Sequence, residues 1–188
     1  MNLQAQPAAD DEAVVASALR AADFQVRPTL AALFRLPAFR GEAALRGRIR
    51  QPLEVLLQAA AAFGVRPTQI SGADYLGAAG QIPFDPPNVA GWPLDPRWLT
   101  SPQALTRVNL GLQAYALAPD APGIQAVAHA DDPVRAALQR AGLYRVSDRT
   151  QQALRQAAAA ATSSVDDRIS AARTLLALAI ASPEMALT

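Results

Sequence analysis

The chain has 188 residues and a formal net charge of +1, a length suited to one domain that removes roughly 70% of its unfolded surface from water. Its 17 basic residues are all arginines scattered among 16 acids, a balance that points away from nucleic acid and anionic membranes as partners. Cysteine is absent, which excludes disulfides, thiolate metal ligands and a cysteine nucleophile, and no apolar run reaches the about 18 residues a membrane span needs.

Hydrophobic residues make up 51% of the chain and alanine leads them, so helices must approach closely to exclude water, and no period-two strand pattern interrupts this. The reading is an all-α, irregular multi-helix bundle. Residues 1–9 offer nothing to bury and are expected to form a flexible terminus ahead of a single helical domain over 10–188. That start also lacks a basic segment followed by an apolar one, so no export signal is expected in it, and the compartment stays open.

Asp10 or Asp11 is expected to cap a first helix. Pro28 can open a second with Leu30, Leu33 and Phe34 as its buried stripe, ending before Pro37. After Gln51, Pro52 starts a helix carrying Leu53, Leu56, Leu57, Ala60 and Phe63 on one face, with Gly64 as its left-handed stop. Ser71 can cap a short helix through Ala79, closed by Gly80. Ser101 and Pro102 repeat a cap-then-proline start for a helix whose stripe reads Leu105, Val108, Leu112 and Tyr115. A short helix near 124–128 follows, then one opened by Asp132 and Pro133, one capped by Ser147, and a last one in which Ser164 and Asp167 resemble a capping box. Its stripe is Ile169, Ala172, Leu176 and Ile180, and Pro183 terminates it.

Between the fourth and fifth helices, residues 80–102 read GQIPFDPPNVAGWPLDPRWLTSP, with six prolines, two glycines, both tryptophans and a phenylalanine. Prolines fix φ and push the preceding residue to extended geometry, so this segment is expected to be a long ordered loop. Two readings stand. In one it is a binding surface on which Trp92 and Trp98 stack against a sugar ring of a glycan or a proline-rich peptide while Asp85, Asn88, Asp95 and Arg97 supply hydrogen bonds. In the other it is a clasp that plugs Phe84, Val89, Trp92 and Trp98 into the core, and the scarcity of other large side chains favours this one.

Four stretches taken together resemble the bacterial family called domain of unknown function 1800. They are RPTLAALFRLPAF at 27–39, RIRQPLEVLLQAAAAFGV at 48–65, the loop with its following helix at 80–112, and LALAIASPEM at 176–185. The GQ, FxPPNV, GWP and WxxS elements of the third are the most specific. Arg50 and Gln51 stand where the family tends to have lysine and serine, and Met185 and Ala186 follow Ser182-Pro183-Glu184 where it tends to have phenylalanine and glutamine. The resemblance implies a mostly helical protein, often exported, of which this chain matches the C-terminal half. Partners it implies are the remaining N-terminal half or another exported protein. It implies no reaction and no catalytic residues.

Other candidates are weaker. His129 is the single histidine, which makes a transition-metal site or a Ser-His-Asp triad improbable. Arg46, Arg48 and Arg50 could hold an anion at the start of the Pro52 helix, but pairing with Glu42 and Glu54 or with water is the simpler reading. No glycine-rich phosphate loop and no cofactor motif is present. The expectation is a noncatalytic interaction or scaffold module. The alternative is a hydrolase of envelope polysaccharide using loop carboxylates, which would require Asp85 or Asp95 in a cleft near another carboxylate or Arg97.

Overall fold

The computed structural model describes residues 8–41, 44, 48–93, 95–117, 119–160 and 164–187. They fall into two compact units, residues 1–49 with 187–188 and residues 50–186. Among the described residues nine α-helices and four short 3-10 helices occur, with no strand beyond a single antiparallel bridge between Ile49 and Leu187.

The first unit is a helical hairpin of α1 (Ala9–Ala21) and α2 (Val26–Arg35), followed by a 3-10 turn at Pro37–Arg40. The connection is tight, and Asp23 and Phe24 both take positive φ to make it, 50° and 61°. Asp10 and Asp11 lie inside the first turn of α1, where they suit the helix dipole, and Ala8 occupies the cap position. Likewise α2 begins at Val26 rather than Pro28. The expected stripe of α2 is not buried. Leu30 and Phe34 are exposed, Leu33 is half-buried, and neither helix has a fully buried residue, because two helices alone shield only the seam between them. Phe34 instead meets Phe39 edge-on, with ring centroids 5.0 Å apart.

The second unit is a bundle built on α9 (Val165–Ala181), which touches α3 (Pro52–Phe63), α5 (Ser101–Tyr115), α6 (Pro122–Ala128), α7 (Pro133–Arg140) and α8 (Asp148–Ala159). The short α4 (Gly72–Ala79) packs on α3 and α5. Phe63, Leu110, Ile124, Leu154, Leu175, Leu176 and Ile180 are fully buried between them. Start and stop signals carry most of these helices. Gly64 ends α3 at φ 70°, the Asp132 carboxylate accepts from the Arg135 amide at 2.9 Å, and Ser164 accepts from the Asp167 amide at 3.1 Å.

The faces of α3 and α5 differ from the expected ones. Leu57 of α3 is exposed while Val55, Ala59 and Ala62 are buried. In α5 the row Leu105, Val108, Leu112 and Tyr115 faces solvent, and Arg107, Leu110, Gly111 and Ala114 are buried instead. The reason is closeness. A Cβ on Gly111 would stand 2.9 Å from the Ala177 carbonyl oxygen of α9, so the backbones meet at this crossing, and only the face with small residues allows that. Two caps also move. Thr100, not Ser101, precedes α5, and Ser71 precedes α4 in a left-handed conformation (φ 50°) without using its hydroxyl as a cap.

Several helix ends are closed from elsewhere in the chain. Arg140 of α7 donates to the carbonyls of Ala62 (2.6 Å) and Ala61 (3.4 Å) at the end of α3, and Arg173 of α9 donates to Leu117 beyond α5. Glu184, in the 3-10 turn Pro183–Ala186, accepts from the Ser147 amide (2.9 Å) and the Thr150 hydroxyl (3.0 Å) at the start of α8. It thereby takes the role that a glutamate three residues into the helix plays in a capping box.

Candidate functional site

The loop begins with a handover between helices. Gly80 ends α4 in the left-handed region at φ 73°, and the next side chain turns back into the bundle. Gln81 is 4% exposed; its carbonyl oxygen accepts from the Leu53 amide at 2.8 Å, and its amide nitrogen donates to the Gln51 side chain at 2.6 Å. The Glu54 carboxylate takes the Gln51 amide at 2.8 Å. The Gly-Gln pair therefore stops one helix and caps another. Sequence reading missed this role, for which a polar residue just after a helix-ending glycine was the one local signal. At the far end Gln103 of α5 donates to the Ala79 carbonyl at 2.8 Å, fastening the loop's exit to its entry.

Two turns follow. The Asp85 amide bonds the Ile82 carbonyl at 3.1 Å with Pro83 and Phe84 between them, and Phe84 has φ 67°. Proline second and positive φ third is the type II arrangement, in which the third position normally falls to glycine. Then the Gly91 amide bonds the Asn88 carbonyl at 3.0 Å, and the Asn88 side-chain oxygen takes the Ala90 amide at 2.9 Å, a turn that asparagine initiates. Each turn presents one apolar side chain at its corner. Phe84 is 100% exposed and Val89 is equally free of cover.

The clasp reading thus holds for one aromatic of the four side chains it named. Trp98, in the 3-10 turn Asp95–Trp98, is 4% exposed, and its indole donates to the Pro93 carbonyl at 2.9 Å. Trp92 is only half-buried, and its indole nitrogen is shielded from water without any acceptor. Phe84 and Val89 do not enter the core, because the turns that carry them point their corners outward.

A cavity of about 670 Å³ opens among Pro87, Asn88, Trp92, Pro93 and Arg97, with the Ala90-Gly91 backbone along one side. It brings together three of the six residues singled out from the sequence, Asn88, Trp92 and Arg97. Asp85 is exposed and does not line it, and Trp98 supports it from beneath through Pro93. The side chain of Asp95 lies outside the described residues. Among the described side chains the cavity carries no carboxylate.

Elsewhere, Arg107 is buried against Tyr75. Loss of water lowers the arginine's affinity for its proton, and Tyr75 opposes that; burial in turn pushes the Tyr75 phenol up to about 12 despite the nearby cation. Sequence reading missed Arg107 because it read the wrong face of α5. The small residues Gly111 and Ala114 were the available signal. Arg50 bonds the carbonyl (3.4 Å) and sulfur (3.2 Å) of Met185, which ties the basic run to the segment after α9, whereas Arg46 and Glu42 lie outside the described residues. His129 is exposed, with its Nδ1 2.9 Å from the Gln125 carbonyl of its own helix. Among the described residues no cluster of metal-ligating side chains is assembled, and no helix is long and apolar enough to cross a membrane.

The fold and loop define an all-helical protein with a turn-built surface whose cavity is lined in part by Pro87 and Pro93. The family model described as protein of unknown function (DUF1800) matches residues 3–187, and the chain belongs to that family. No curated protein and no solved structure matches it.

Proposed function

We propose that the chain is a noncatalytic interaction module and that the loop over residues 81–98 is its docking surface. One observation carries this reading. Phe84 occupies the turn position that glycine would fill without strain, and its ring is completely solvated. A left-handed conformation costs a residue with a Cβ roughly 1–2 kcal/mol, and a solvated ring recovers none of it by burial. A side chain that strains the backbone and serves no core is explained by contact with something outside the chain. Val89 at the corner of the second turn extends the same surface. The hydrolase alternative has less support, since Asp85 is solvated and the neighbouring cavity holds no described carboxylate. Membership in a larger exported bacterial protein rests on the family resemblance.

The test exploits the strain. Phe84→Gly should leave the melting temperature unchanged or raise it, because glycine adopts positive φ freely. Ligands selected on the wild-type chain from a random peptide library and a glycan array should lose binding to Phe84→Gly and to Val89→Ser. Selected ligands that bind both variants as well as the wild type would end the docking reading. Cleavage of a glycan that disappears with Asp85→Asn would establish the hydrolase instead.

A further inference from the structure

Arg107, between α4 and α5, is a buried charge with no counter-charge among the described residues. Half-buried arginines elsewhere end on acceptors: Arg140 on the Ala61 and Ala62 carbonyls, Arg173 on Leu117 and Arg50 on Met185. Arg107 is only 8% exposed, yet among the described residues its guanidinium makes neither a hydrogen bond nor an ion pair. Its Nε is sealed from water, whereas its two terminal nitrogens are not. Tyr75 is in the same condition beside it. Gln103 of α5 bonds the Ala79 carbonyl at the end of α4, and Arg107 and Tyr75 lie four residues further into each helix, on the next rung of that crossing. The Tyr75 side chain is 5% exposed, its oxygen is neither sealed nor bonded among the described residues, and the arginine's charge acts on it.

We infer that Arg107 and the Tyr75 hydroxyl form a receptor for a single carboxylate brought from outside the chain. An arginine taken out of water without a partner costs stability, and that cost is removed when an anion binds it. The guanidinium offers parallel N–H groups that match the two oxygens of a carboxylate, and the phenol O–H adds a donor beside them. Burial pushes the Tyr75 phenol up to about 12, so it stays protonated and donates. One negative charge then balances one positive charge. A phosphate group brings nearly twice that charge, and the flat carboxylate suits the narrow approach between side chains 5% and 8% exposed. A free carboxylic acid and an acidic side chain of a peptide share this chemistry. The pair lies on α4 and α5 and shares no residue with the loop surface, so this site and the docking reading stand or fall separately.

The experiment uses the full chain, with sodium acetate, N-acetylglutamate α-amide and sodium phosphate each titrated against sodium chloride at constant ionic strength. Thermal melts and saturation-transfer NMR on the acetate methyl give the readouts. At ten times its dissociation constant acetate should favour the folded state about elevenfold, a rise of about 3–6 °C for a chain of this size. Arg107→Met should erase the rise and the NMR signal, and should melt in chloride at or above the wild type because it removes an unpaired buried charge. Tyr75→Phe deletes one oxygen, should fold normally and should weaken acetate about fivefold, as loss of one hydrogen bond does. Tighter binding of the glutamate amide than of acetate supports the site with a peptide side chain as the source, and weaker binding supports it with a free acid as the source. No acetate-dependent rise in the wild type, a rise that survives Arg107→Met, or phosphate raising the melt more than acetate by an Arg107-dependent route would each overturn the assignment. If Arg107→Met does not fold, the wild type and Tyr75→Phe decide: an acetate signal of equal strength in both overturns the receptor.

Discussion

Glu184, which the sequence presents only as part of the Ser182-Pro183-Glu184 stretch, acts as a cap on a distant helix. Burial raises the affinity of its carboxyl for a proton, but the bonds from Ser147 and Thr150 together outweigh that and hold it below the ordinary value of 4.5. A carboxyl whose proton affinity is lower in the folded state adds stability above its unfolded pKa and loses it as pH falls through the folded one. Glu184→Gln should therefore cost about 1 kcal/mol at neutral pH, the usual worth of a lost cap. Below the lowered folded-state value, where the carboxyl is protonated in both states, the two proteins should melt together. Melts from pH 7 down to the acid limit check this, and a gap that persists in acid would mean that packing, not charge, sets the role.

At the scale of elements, close backbone approach decides which helix faces meet. Gly123 of α6 sits where a Cβ would overlap the Ala62 carbonyl and stand 2.6 Å from Phe63 backbone atoms at the end of α3. Gly77 of α4 has nothing within 4 Å of that position. Gly123→Ala must push two helices apart through backbone, which cannot yield as a side chain can, and should cost about 3 kcal/mol or more. Gly77→Ala should stabilise by about 0.5–1 kcal/mol through helix propensity alone. Denaturant midpoints measured on both variants separate the effects, and a mild Gly123→Ala would show that α6 can shift along α3.

For the whole molecule, the notable surfaces are apolar. In the second unit Leu105 and Leu112 of α5 are 60% and 62% exposed, and Val108 and Tyr115 complete the row. In the first unit Val14, Phe24, Val26, Leu30, Phe34 and Phe39 are exposed on and beside a hairpin with no buried residue. Exposed apolar side chains in such number favour association. The chain should self-associate as concentration rises, and Leu105→Gln combined with Leu112→Gln should lower that tendency without lowering the melting temperature. Light scattering across a wide concentration range is the check, and a monomer throughout would show that neither surface joins copies of this chain.

Sequence by itself determined the all-helical class, most helix starts and stops, the buried Ala172, Leu176 and Ile180 of α9, and the family. These follow from local chemistry: proline fixes φ, glycine permits positive φ, serine and aspartate cap, and alanine propagates helix. It also marked Asn88, Trp92 and Arg97, which line one cavity. Only the tertiary structure decided which face of α5 is buried, because the larger apolar row pointed to the other face and the choice lay with Ala177 on a helix some sixty-five positions away. The same holds for Gln81 and Glu184, whose partners come from other elements. It holds again for Phe84 and Val89, whose outward aim depends on turn φ values that aromatic content alone does not reveal. Local rules set where the chain bends; packing between distant segments set what each bend conceals or presents.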